Sequence, residues 1–288
     1  MKILLLNIFT LLAATSYASE SRYLVNQQSA KNGALELGYE QHHENLSERG
    51  HLSKNGKIVK LNYTQPLGEV TNINVGAQFL NQEVSSAETD QTHSVTGFGD
   101  FNLGIKSGIV YESLTLVYGA DASISPGPAQ NPFTRTDSSK AAGNNFSGTQ
   151  ILSPFIGAES YINQIAVGGR FISNIFSAQY VEDNGEVDQF TNERKYFGNN
   201  QTNSFHLEGF VEFPVYKKID VGLVIGAGRG DMNVLRYFEG GNEYLGQLYS
   251  QYKFDKETAA TASLTSQVTK IPNEKNTTDL SIGLRRSL

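Results

Sequence analysis

From Gly33 to the end of the chain, the sequence consists of segments of roughly ten residues in which apolar and polar side chains alternate. Side chains at every second position of a strand share one face, so each segment has one apolar and one polar face. The pattern predicts twelve strands. Their predicted bounds are 33–41, 57–66, 72–80, 97–107, 113–125, 150–160, 164–178, 203–213, 220–230, 244–254, 258–269 and 278–288.

The connections between these segments are alternately long and short. The short ones are 66–69, 108–112, 161–163, 214–219 and 255–257, and they contain turn-forming Gly, Pro, Asn and Asp. The long ones are 42–56, 81–96, 126–149, 179–202, 231–243 and 270–277. Transmembrane barrels have short periplasmic turns and longer outer loops, whereas a soluble sandwich has no reason to sort its loops in this way. We therefore predict an all-β, antiparallel up-and-down transmembrane barrel in the outer membrane of a Gram-negative bacterium.

The first residues predict export. Met1 and Lys2 precede an apolar run that ends at Ala14, and Ser16-Tyr17-Ala18 has the small residues of a cleavage site. Residues 1–18 are therefore a predicted signal peptide, residues 19–32 a short periplasmic segment, and residues 33–288 the barrel. The apolar run is too short for a spanning helix. The chain has no cysteine, which excludes disulfides and thiolate metal sites.

Composition agrees with a barrel. Hydrophobic residues make up 39% of the chain and the mean hydropathy is −0.34. Such values suit barrel strands, because these alternate a lipid-facing side chain with a polar one. The net charge of −6 disfavours nucleic acid as a partner.

The polar faces predict a wet interior, because a barrel of twelve strands is too wide for apolar side chains to fill. The segment 203–213 shows the division best, with Phe205 and Leu207 toward lipid and His206 and Glu208 toward the lumen. These charges either line a selective pore or crosslink the wall as ion pairs, and the sequence leaves both open. The predicted lumen-lining residues are Glu36, Lys60, Asp100, Lys106, Asp121, Arg170, His206, Glu208, Glu212, Lys253 and Arg285.

No catalytic, metal or cofactor site is expected. Ser204 and His206 have the spacing of a Ser–His pair on a strand, but both lie on the predicted inner face and no third partner is evident. Gly226, Gly228 and Gly230 lack the βαβ unit that a phosphate loop needs. Loop histidines are usually solvated, so metal binding is disfavoured for the polar residues of the predicted outer loops. These residues are His42, His43, Glu44, His51, Asp90 and His93.

One segment carries a family resemblance. Gly97-Phe98-Gly99-Asp100, followed by Leu103-Gly104-Ile105-Lys106, resembles the Gly-x-Gly-Asp-x-x-Leu-Gly-x-Lys strand of outer-membrane proteins linked to the meta-pathway of phenol degradation. Ser125-Pro126-Gly127 resembles the end of that family's next strand, with Ser where the family tends to have Leu. The resemblance implies an outer-membrane barrel for the uptake of small, often hydrophobic or aromatic, compounds.

These observations together predict a channel or transporter for small solutes. A structural or adhesive barrel that acts through its surface loops is the alternative, and an outer-membrane hydrolase is a weaker one. The expected partners are outer-membrane lipid, lipopolysaccharide, a small-molecule solute and the barrel-assembly machinery. That machinery recognises a final alternating strand, here with Leu280, Ile282 and Leu284, although the chain ends in Leu288 rather than an aromatic residue.

Overall fold

Thirteen antiparallel strand segments make up the regular structure in the described part of the chain. The computed structural model describes residues 33–46, 52–86, 91–126, 149–179, 202–233, 242–270 and 274–288, so the predicted signal peptide and the segment 19–32 lie outside the described residues. No helix among the described residues is long and apolar enough to cross a membrane. The segments are β1 (Ala34–Leu46), β2 (Leu52–Pro66), β3 (Thr71–Ser86), β4 (Gln91–Phe98), β5 (Phe101–Tyr111), β6 (Leu114–Ile124), β7 (Thr149–Ile162), β8 (Ile165–Gln179), β9 (Thr202–Tyr216), β10 (Ile219–Asn233), β11 (Asn242–Lys253), β12 (Thr258–Lys270) and β13 (Glu274–Ser287).

The segments form a closed ring of twelve barrel strands. Neighbours in the chain pair with each other except for β4 and β5, and β1 pairs with β13 along its whole length. β3 pairs with β4 through residues 79–86 and with β5 through residues 71–76, so β4 and β5 together occupy one place in the ring. The predicted twelve-stranded antiparallel barrel is therefore confirmed.

The strand predicted at 97–107 is interrupted at Gly99 and Asp100, between β4 and β5. The Gly99 amide donates a 2.9 Å hydrogen bond to the Gln78 carbonyl oxygen, which holds the interruption against β3. A Cβ on Gly99 would overlap the end of the Leu80 side chain, which would have to move aside. The interruption lies within the segment that carries the family resemblance.

Several strands extend further than predicted at the end of the barrel that carries the longer connections, here called the loop end. β1 runs to Leu46 and β2 begins at Leu52, so only residues 47–51 connect them. Backbone pairing continues there although both faces are polar, as in the pair His43 and Asn55. The prediction that His42, His43, Glu44 and His93 belong to loops is therefore wrong, since they lie in β1 and β4. His51 and Asp90 lie outside the described residues.

Tight turns connect the strands at the opposite end, here called the turn end. Asn163 and Gln164 have φ values of 49° and 70°, the left-handed pair that a two-residue hairpin favours. Asp255 accepts hydrogen bonds of 2.8 and 2.7 Å from the backbone amides of Glu257 and Thr258. These two bonds hold the pKa of the Asp255 carboxyl below its usual range.

The two faces of the wall differ as the alternation requires. Outward side chains such as Ile156, Leu207 and Ile225 are exposed and apolar, which suits contact with lipid. On the inner face of β8 to β11, however, Ala166, Phe210, Val224 and Tyr249 are buried against one another, with Tyr161 and Leu245 beside them. The expectation of a wet, polar interior is therefore only partly right, because apolar side chains also cover the inner wall along these four strands.

Candidate channel lumen

A cavity of about 600 Å³, here called the central cavity, lies inside the ring. Its lining comes from ten of the thirteen segments, namely β1–β3, β5–β8 and β11–β13. Three of the predicted lumen residues line it: Glu36, Asp121 and Arg285. The other polar lining residues are uncharged, and they are Asn62, Thr64, Asn74, Asn102, Ser123, Ser153, Asn174, Gln251 and Thr261.

Hydrogen bonds between strands orient this uncharged lining. Thr64 Oγ1 donates a 2.8 Å bond to Asn74 Oδ1 across β2 and β3. Ser153 Oγ donates a 2.7 Å bond to Asn174 Oδ1, and Asn174 Nδ2 in turn donates a 2.9 Å bond to Ser204 Oγ. The amides of Asn74 and Asn174 therefore have fixed donor and acceptor directions before any solute arrives.

A second cavity, of about 360 Å³ and here called the outer cavity, lies nearer the loop end along β1. Glu40, His42, Glu44, Lys60 and Asp279 line it, so the predicted lumen residue Lys60 belongs here. Lys60 Nζ lies 2.6 Å from Glu40 Oε2, and His42 Nδ1 lies 2.6 Å from Asp279 Oδ1.

The outer cavity contains a combination of residues that could ligate a metal. Glu40, His42 and Asp279 place one ligand atom each within 4.8 Å of one another. Each already has a partner, however, because Lys60 pairs with Glu40 while His42 and Asp279 bond to each other. The arrangement is that of an ion-pair network across β1, β2 and β13, and the absence of a metal stays a prediction.

Two further predicted lumen residues, Lys106 and Arg170, share one buried carboxylate. Glu159 is 1% exposed, and its Oε1 accepts bonds of 2.9 Å from Lys106 Nζ and 2.5 Å from Arg170 Nη2. The Arg170 guanidinium also lies 5.8 Å from the Phe155 ring centroid and 5.7 Å from that of Phe210, within the range of a cation–π contact. The sequence reasoning missed Glu159, although its inward position on β7 follows from the alternation.

Three of the remaining predicted residues are also tied to the wall. His206 Nε2 lies 3.2 Å from Glu243 Oε2, and Lys253 Nζ lies 2.9 Å from Asp220 Oδ2. Glu212 accepts a 2.6 Å hydrogen bond from the Tyr249 hydroxyl.

Glu208 and Asp100 complete the predicted set. Glu208 lies opposite Arg170 in the ladder between β8 and β9, and Asp100 is buried within the interruption between β4 and β5. Ser204 and His206 turn to different partners, since Ser204 accepts a bond from Asn174 and His206 faces Glu243.

Comparison with known proteins supports the architecture. No protein-family model and no curated protein sequence matches this chain. An outer-membrane channel from Pseudomonas putida F1 is similar in structure, with a TM-score of 0.59, 14% identity, and coverage of 88% of this chain and 95% of that chain. The beta domain of the Bordetella autotransporter BrkA has a TM-score of 0.51 and 9% identity, covering 89% of this chain and 100% of that chain.

Similarity at these identities shows a shared fold. The chain is an outer-membrane β-barrel, which confirms the predicted fold class and location. The barrel implied by the resemblance to the phenol-degradation family is thereby confirmed. The uptake of aromatic compounds stays a prediction.

Proposed function

We propose that this barrel is a channel for small solutes and that the central cavity is part of its passage. The observation that carries the proposal is a cavity lined from ten of the thirteen strand segments, with charged and polar side chains directed into it. The fold shared with an outer-membrane channel of Pseudomonas putida F1 supports the proposal. We expect no catalytic role.

The charges inside the barrel divide into two groups with different roles. Glu36, Asp121 and Arg285 line the central cavity, where they act on passing ions. Lys106 and Arg170 both bond to the buried Glu159, so these three residues crosslink the wall instead. Two carboxylates against one guanidinium leave one net negative charge in the cavity, and we expect a modest preference for cations.

Planar-bilayer recordings of the refolded protein test the proposal. The wild type should give stepped currents with a cation-directed reversal potential across a salt gradient. Asp121→Asn should move the reversal potential toward anions and Arg285→Gln should move it toward cations. Glu212→Gln is the matched control, because Glu212 bonds to Tyr249 in the wall; it should lower thermal stability and leave the reversal potential unchanged.

A folded but silent wild type would contradict the channel and favour the structural or adhesive barrel. Membrane lipid contacts the exposed apolar belt, which includes Ile156, Leu207 and Ile225. Contact with lipopolysaccharide and insertion by the barrel-assembly machinery stay predictions.

A further inference from the structure

The central cavity is lined mainly by amide and hydroxyl side chains, and we infer that its solutes are small, uncharged and polyhydroxylated, of monosaccharide to disaccharide size. This inference rests on the channel function proposed above and names the solute class. It differs from the hydrophobic or aromatic compounds that the family resemblance implies.

The amides of the lining are suited to hydroxyl groups. Each asparagine side chain offers two donor hydrogens and an acceptor oxygen, so one residue can bond a hydroxyl in either role. Asn62, Asn74, Asn102 and Asn174 come from four different strands, β2, β3, β5 and β8. A solute with hydroxyls on several sides can therefore exchange its water for these partners as it passes.

The orientation of the lining favours recognition as well as passage. Asn174 is held between Ser153 and Ser204, and Asn74 is held by Thr64. Asn102 lines the same cavity and is exposed, so its amide reaches the water inside the barrel. Because these side chains are already ordered, less conformational entropy is lost when a solute binds to them.

An apolar solute would gain little in this cavity. The apolar cluster on the inner face is packed, with Phe210, Val224 and Tyr249 only 8%, 4% and 2% exposed, and Ile151 adds one aliphatic side chain to the lining of the central cavity. The cluster offers almost no surface to a hydrocarbon, whereas the amides would lose water without a replacement partner. Charges of both signs line the cavity, so a cation is repelled by Arg285 and an anion is repelled by Glu36 and Asp121.

The size of the cavity agrees with this class. Sites for small molecules span roughly 300–1,000 Å³, and the central cavity has about 600 Å³. A monosaccharide fits with water around it, while larger oligosaccharides would have to shed that water. We therefore expect permeation to slow from pentose to hexose to disaccharide.

Proteoliposome swelling in arabinose, glucose and sucrose tests the inference, with ion conductance recorded on the same preparations. The double variant Asn74→Leu with Asn102→Leu should slow glucose entry roughly tenfold, since two hydrogen-bonding side chains are lost, and should retain stepped ion currents. Gln41→Leu is the control, because Gln41 is exposed on the outward face of β1; it should match the wild type.

The outcomes separate the two proposals. Ion currents without protein-dependent swelling in any sugar, or a double variant that passes glucose as fast as the wild type, would overturn the solute class and leave the channel intact. A folded protein that passes neither ions nor sugars would overturn both.

Discussion

The ring of Tyr249 lies over Gly222, its direct partner in the ladder between β10 and β11, so closely that a Cβ on Gly222 would overlap the ring. The same arrangement recurs inside the barrel, where the Phe210 ring covers Gly168. Each large ring therefore lies flat against the wall and does not extend across the bore. Aromatic side chains are known to shield glycines of a neighbouring strand in this way.

A methyl group at Gly222 should therefore destabilise the barrel. Gly222→Ala forces the Tyr249 ring away from the wall and strains its hydrogen bond to Glu212, and we expect a loss of about 1–3 kcal/mol in the free energy of unfolding. Urea titration of the protein folded into lipid vesicles measures this change. Gly246→Ala is the control, because a Cβ at Gly246 has no neighbour within 4 Å. Equal stability of the two variants would contradict the ring–glycine contact.

Because β7 has one lipid-facing and one inner face, the same substitution should destabilise the barrel more on the lipid-facing side. Ile156 is 63% exposed on the outward face, so Ile156→Arg places a charge in lipid and should cost about 2–4 kcal/mol if it lies near the midplane. Ser153→Arg, three residues away on the inner face, meets the water of the central cavity and should cost less. Heat-modifiable mobility on gels compares the folded fractions. A larger loss for Ser153→Arg would reverse the assignment of the faces.

The shared carboxylate of Glu159 predicts a third result. Glu159→Gln leaves Lys106 and Arg170 buried without their common anion, and we expect a loss of about 3–5 kcal/mol in unfolding free energy. Glu40→Gln removes a carboxylate from a pair in which the Lys60 side chain is 37% exposed and can turn to water, so its cost should be smaller. The same urea titration measures both variants. Similar losses would show that burial of Glu159 with Lys106 and Arg170 does not increase the free energy lost when the carboxylate is removed.

The orientation of the barrel can be tested with trypsin on intact cells. Arg135, Lys140, Arg194 and Lys195 lie in the connections 127–148 and 180–201 of the loop end, and cleavage there should occur without permeabilising the outer membrane. The turn of Lys217 and Lys218 at the opposite end should be cut only after permeabilisation. Mass spectrometry of the released peptides distinguishes the two patterns, and the reverse order would show an inverted barrel.

The number of barrel strands and the sorting of connections by length were predictable, because each depends on local alternation and turn chemistry. The interruption at Gly99 was not predicted, although the apolar positions change parity there, from Phe98 to Phe101 and Leu103. Pro214 was predicted to begin a turn, yet it lies within β9, opposite Asp220 and next to a register shift. A bulge accommodates proline there, because its missing amide removes one bond of the ladder.

The interior was less predictable than the ring. Alternation assigned Lys106 and Arg170 to the inner face, but only the register of β5, β7 and β8 brings both to Glu159. The same holds for Tyr249 and Gly222, because pairing between strands is a non-local property that residue spacing does not contain. Which inward charges reach water and which are bonded into the wall therefore needed the structure.

The ladder between β1 and β13 has a consequence for how the molecule assembles. It joins His42 and Asp279, which are 237 positions apart in the chain. It therefore cannot stabilise the barrel until almost every other strand has formed. Until that moment, the unfinished sheet keeps two open edges that can pair with another molecule. The single event that completes the cylinder also removes both edges, so the time before closure is when the protein is most vulnerable to aggregation.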